Sequence, residues 1–238
     1  MVPEALRGIH CYSDPEESAA CQRELDWSLT TTVETDRGNF RGEYPPVYYA
    51  VHGLLAGDDI QVSALAMRLL NVGLFIGFTL ALWLLLPAAR RPMATWSWLL
   101  VVVPLGLFFL ASNNPSSWAI MGVGAAFLAL LGYLETTGRR RVGLGIVFAL
   151  AVLVAAGARG DAALYAGFAI AIGLLLAFEP STRFLKLSVL PVAMGLVALA
   201  FLLGSGMVAG ASDGFGSGST GAAGETSEGG ERPGGLAL

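Results

Sequence analysis

The chain has 238 residues, 55% of them hydrophobic and 13% charged, with a mean hydropathy of +0.64 and a formal net charge of −4. Ordinary soluble domains carry about 25% charge, so the composition excludes a typical soluble enzyme and points to a membrane protein. The acidic balance, with a pI near 5.2, argues against a nucleic-acid partner.

The N-terminal part is acidic: residues 1–59 hold four arginines and eleven acids. Cys11 and Cys21 are the two cysteines of the chain and both lie here. In an oxidising compartment they form a disulfide. Two unpaired thiols are the alternative. A zinc site drawing on His10 and His52 is a third reading, but the spacing matches no finger or ribbon, and no metal is assigned. Tyr44-Pro45-Pro46-Val47-Tyr48-Tyr49 then leads into an apolar stretch at 50–56. The prolines end the extended arm, and tyrosine rings suit the headgroup level. This pattern predicts a short helix lying on the outer surface, with the tyrosines as a simple interfacial anchor.

Six apolar runs follow, at 64–86, 96–111, 118–134, 142–158, 162–178 and 187–209. A helix crosses the hydrocarbon in roughly 17–25 residues. The fold class is therefore all-α, a polytopic transmembrane bundle of about six spans. Pro104 lies inside the second run and predicts a kink there. The domain division is an extracytoplasmic arm at 1–62, a membrane domain at 63–209 and a disordered tail at 210–238. The tail contains ten glycines among serine, threonine and glutamate, and has nothing with which to bury a core.

Loop charges orient the bundle. Arg90 and Arg91 follow the first run, Arg139, Arg140 and Arg141 the third, and Arg183 and Lys186 the fifth. In a six-helix zigzag these loops share one side, while the opposite loops contain only Arg159. Positive charge resists translocation, so the basic side is cytoplasmic and both termini lie outside.

Polar residues at membrane depth would mark a catalytic or transport site. No core contains an acid, and Arg68 is the one charged residue that enters a core. Phosphate-cradling glycine loops, zinc-protease helices, Ser-x-x-Lys patterns and nucleophile elbows are missing. The candidates gather on the expected outer face: Asp58 and Asp59 before the first run, Arg68 within it, Asn113 and Asn114 with Ser116 and Ser117 between the second and third, and Arg159 with Asp161 between the fourth and fifth. Arginine offers a bidentate fork to phosphate, which suits a lipid phosphate. Structural readings stand beside these. Asp58 and Asp59 suit a turn before a helix, Asn113-Asn114-Pro115-Ser116-Ser117 a helix start, and Arg159 with Asp161 a local ion pair.

The order of five motifs resembles the domain of unknown function 2142 family over residues 9–205. They are His10-Cys11-Tyr12-Ser13-Asp14-Pro15-Glu16 with Ala20-Cys21, Tyr44-Pro45-Pro46-Val47-Tyr48-Tyr49, Met67-Arg68-Leu69, Asn113-Asn114-Pro115-Ser116 and Arg159-Gly160-Asp161-Ala162. The resemblance implies a multi-pass protein of a bacterial cell membrane. That family is in turn similar to the GT-C membrane glycosyltransferases, which take sugars from polyprenyl-phosphate donors at the outer face. Those enzymes generally carry an essential acid in the first outer loop, given in this family by a Pro-Asp-Glu stretch and a histidine. The resemblance places that motif upstream of Met1. The chain is accordingly expected to be a truncated piece, inactive alone, whose full-length form would use the acid as a base or as a ligand for a divalent metal. Arg159 and Arg68 would hold the donor phosphate, and Asn113 and Asn114 would hydrogen-bond sugar or phosphate. The alternative is a non-catalytic membrane component that binds lipid or protein partners through its outer loop.

Overall fold

The structure is a computed structural model and describes residues 2–3, 32–34 and 44–205. Strands β1 (Val2–Pro3) and β2 (Thr32–Val33) pair antiparallel, with Val2 opposite Val33. The rest of the regular structure is helical. The expected Cys11–Cys21 disulfide and the tail at 210–238 lie outside the described residues.

Helix α1 (Pro46–Gly53) starts on a proline, whose fixed φ suits the first helical turn. The short helix expected before the first run therefore starts within the Tyr-Pro-Pro motif, ahead of the apolar stretch at 50–56. Helix α2 (Ile60–Leu85) is capped by Asp59, whose carboxylate accepts from Gln61 N at 2.8 Å and Val62 N at 3.0 Å. Its 26 residues extend about 39 Å. A short 3-10 turn (Ala88–Arg90) leads to α3 (Arg91–Val101) and α4 (Pro104–Ala111).

The kink expected at Pro104 is a full break between two helices. The chain bends by 93° between α3 and α4. A residue before proline is driven out of the α region. Val103 accordingly sits at ψ 168°, and the helix breaks rather than bending.

Helices α5 (Pro115–Glu135), α6 (Gly138–Ala156), α7 (Gly160–Leu176) and α8 (Thr182–Gly204) complete the bundle. All six apolar runs become helix. By length and composition three helices, α2, α5 and α8, are fit to cross a membrane, or up to four if the bent α3–α4 pair is one span. The number is below six because α6 spends its first turn on Arg139, Arg140 and Arg141, and α7 has 17 residues.

Helix α5 is the centre of the bundle. Met121, Ala125, Ala126 and Ala129 are fully buried along it, facing Phe148, Ala151 and Val152 of α6 within one core. At Gly122 a Cβ would stand 2.7 Å from Ala151 O and 2.8 Å from Ala155 N, so the backbones approach closely because no side chain intervenes. Small residues drive helix association in membranes for this reason.

The polar ends segregate. Arg90 pairs with Glu135, which joins the α2–α3 turn to the end of α5. Arg141 Nε donates to Thr136 O at 2.6 Å, and Arg91 stacks 5.7 Å from the Trp83 ring. The loops after the first, third and fifth runs thus meet at one arginine-rich end. At the other, Asn113 Nδ2 donates to Ala64 O at 3.2 Å and Tyr48 N donates to Gly157 O at 3.2 Å.

Candidate functional site at the α1 end

Arg159 occupies the N-cap of α7. Its Nε donates to Asp161 Oδ1 at 2.8 Å and Nη2 to Oδ2 at 2.9 Å, a bidentate pair. Nη1 reaches Ser116 Oγ on α5 at 3.2 Å, and the guanidinium lies 5.7 Å from the Tyr44 ring. Asp161 also accepts from Ala162 N at 2.9 Å, an otherwise unsatisfied amide of the helix start. The hydrogen bond to Asp161 holds the Arg159 pKa above its ordinary value. The guanidinium fork is therefore committed within the chain, and it ties α7, α5 and the segment before α1 together.

The other candidates divide by what they touch. Asp59 caps α2, and Asn114 caps α5 by accepting from Ser116 N at 2.9 Å. Asn113 bridges the α4–α5 turn to α2. Arg68 and Asp58 are exposed and enter neither of the two ion pairs found among the described residues, Arg90–Glu135 and Arg159–Asp161. Arg68 lies four residues after Ala64 and three before Asn71, so all three share one face of α2. That face meets the turn holding Ser112 and Asn113.

Residues 3–229 match the family described as "Predicted membrane protein (DUF2142)". The chain belongs to this family. No curated protein and no solved structure matches the chain.

Among the described residues of this family member, Asn71 and His52 belong to a buried polar cluster that lies outside the sequence-derived candidates. Asn71 is completely buried, about 16 Å along α2. Its Nδ2 donates to Ser112 O at 2.8 Å, and its Oδ1 accepts from Trp118 Nε1 at 2.8 Å. Tyr48 of α1 meets the Trp118 ring edge-on at 5.2 Å and stacks on His52 at 3.8 Å. His52 Nδ1 lies 2.9 Å from Tyr48 O and donates to it, leaving Nε2 buried and without a well-formed hydrogen bond. Burial lowers the His52 pKa below its ordinary value and pushes Tyr48 up to about 12; the nearby Asn71 amide opposes both shifts. The signal was present, since Asn71 is the one side-chain amide in the run 64–86.

Helix α1 is thus docked into the bundle, which corrects the reading of its tyrosines as a simple interfacial anchor. Tyr48 is 4% exposed, while Tyr49 remains exposed and packs against Tyr44 at 6.3 Å. The docking needs Gly157. A Cβ there would stand 2.6 Å from Val47 Cβ and 2.7 Å from Leu153 O. Among the described residues no three His, Cys, Asp or Glu side chains lie close enough to hold a metal ion.

Proposed function

We propose that the chain is the helical scaffold of a GT-C-like protein that handles polyprenyl-phosphate-linked sugars at the α1 end, facing away from the cytoplasm in a bacterial cell membrane. The observation that carries this reading is that Arg68, on the α2 face that meets the Asn113–Asn114 turn, enters no ion pair among the described residues. Arg68 takes the donor phosphate. Asn113 and Asn114 offer hydrogen bonds to sugar, and Asp58 offers a carboxylate to its hydroxyls. Arg159 and Asp161, paired with each other, position Ser116 and Tyr44 rather than holding the phosphate directly.

The test is binding of a polyprenyl-phosphate sugar to the full chain in lipid nanodiscs. A charge-assisted hydrogen bond contributes about 1.5–3 kcal/mol, so Arg68→Ala is expected to weaken binding by at least about tenfold. Equal affinity of wild type and Arg68→Ala would remove Arg68 from the reading. Failure of both to bind would remove the ligand class.

A second reading, a non-catalytic component that binds partners, draws on α2 and α8. Their apolar windows are each 17% buried, against 67% for α5, which leaves long faces to lipid or to another protein. Crosslinking from Leu84 and Leu196 in native membranes separates the two, since a partner gives discrete protein adducts.

A further inference from the structure

The arginine-rich end contains a cavity of about 520 Å³ between α5, α7 and α8. Its lining includes the apolar side chains Leu131, Leu134, Leu176 and Leu187. Its rim carries four charges, Arg90, Glu135, Glu179 and Arg183. Arg90 and Glu135 neutralise each other by a bidentate pair. Glu179 and Arg183 are both exposed and enter neither ion pair of the described residues.

Glu179 precedes α8 and Arg183 lies in its first turn. Ser181 N donates to Glu179 O at 2.7 Å, and Ser181 Oγ caps α8 by accepting from Phe184 N at 3.1 Å. Phe178 and Phe184 pack edge to face at 5.6 Å across the same turn. Among the described residues, one cation and one anion outside any ion pair therefore line a cavity shared with leucine side chains. The N-terminal end of α8 adds partial positive charge beside Arg183.

We propose that this cavity binds the headgroup of an ethanolamine phospholipid. The phosphate sits on Arg183, the primary ammonium on Glu179, and the acyl chains leave past Leu176, which lines the cavity and is exposed. An anionic glycerol headgroup would leave Glu179 facing a phosphate with no cation between them. A choline headgroup has no N–H to donate to Glu179. The cavity volume suits a headgroup and glycerol, with the chains remaining in the bilayer.

The full chain, delipidated in a neutral detergent, is titrated with ethanolamine, glycerol and choline phospholipids of equal chain length, with bound lipid read by native mass spectrometry. The ethanolamine lipid is expected to be retained about tenfold more than the other two. Glu179→Gln should erase that preference, and Arg183→Ala should lower retention of all three. Both positions are exposed, so folding is spared. Soluble phosphoethanolamine at matched concentration should not compete. Equal retention of the three lipids, a preference for the glycerol or the choline lipid, an unchanged preference in Glu179→Gln, or unchanged retention in Arg183→Ala would overturn the proposal. Full competition by phosphoethanolamine would overturn its assignment to a lipid.

Discussion

Trp118 Nε1 donates to Asn71 Oδ1 at 2.8 Å, and the two side chains are 2% and 0% exposed. The bond joins the centre of the bundle to α2, while the other end of the same amide satisfies Ser112 O. Truncating Asn71 leaves the buried Trp118 indole N–H and the half-buried Ser112 carbonyl without this partner. Each costs about 1–2 kcal/mol, with values near the lower end inside membranes. Asn71→Ala should lower the thermal midpoint in detergent by several degrees. Trp118→Phe alone should cost less, and the double variant should fall short of the sum. Additive losses would show that the two residues do not act through this bond.

Gly157 lets α1 dock, because a Cβ at that position meets Val47 and the Leu153 carbonyl. Overpacking of this kind costs about 1–3 kcal/mol. Gly157→Val should release α1 while leaving α5 and α6 packed. Hydrogen exchange at residues 46–53 should rise sharply, with exchange across 118–134 little changed. Protection of α1 equal to wild type would contradict the close approach.

His52 makes the docking of α1 pH-dependent. Its folded pKa is lowered chiefly by burial, whereas in an undocked chain it titrates near 6.5. Above about pH 6.5 both states are neutral and the full stability is present. As the pH falls below that value the undocked state gains a proton that the docked state does not accept, so stability is lost. Exchange at α1 should therefore be faster at pH 5.5 than at 7.5. His52→Phe, which keeps a ring against Tyr48, should flatten the profile.

The Arg159–Asp161 pair is partly exposed, with side chains at 28% and 31%. Such pairs contribute roughly 1 kcal/mol or less. Arg159→Lys loses the bidentate fork and the Ser116 contact and should lower the thermal midpoint only slightly. Asp161→Asn should do the same, and the double variant should match either single one. Arg68→Ala should leave stability unchanged, which separates its proposed ligand role from the structural role of Arg159.

Much of the fold was legible along the chain. Each apolar run became helix, Pro104 marked a real break, and the loops rich in arginine meet at one end, as Arg90, Glu135 and Arg183 around one cavity demonstrate. The capping roles of Asp59 and Asn114 were also readable, since acids and amides before apolar runs satisfy helix-start amides. Less was legible in the candidate site. Arg159 reads as an anion ligand because it is the one basic residue in the two loops opposite the arginine-rich side. The fold gives its fork to Asp161 two residues away. Asn71 was hidden by the hydrophobicity of its neighbours, which dominates any average over a window.

By itself the sequence determined that this is an apolar helical membrane protein with chemically distinct ends. Hydropathy and charge belong to residues one at a time, and helix starts and breaks depend on neighbours a few positions away. Only the tertiary structure decided that Asn71 meets Trp118, 47 residues distant, that α1 seats Tyr48 and His52 against them, and that Glu179 and Arg183 share a rim with Arg90. Those relationships arise from which helix faces pack together. Packing in an apolar bundle is set by small residues such as Gly122 and Gly157, which permit close approach at positions that average composition does not single out.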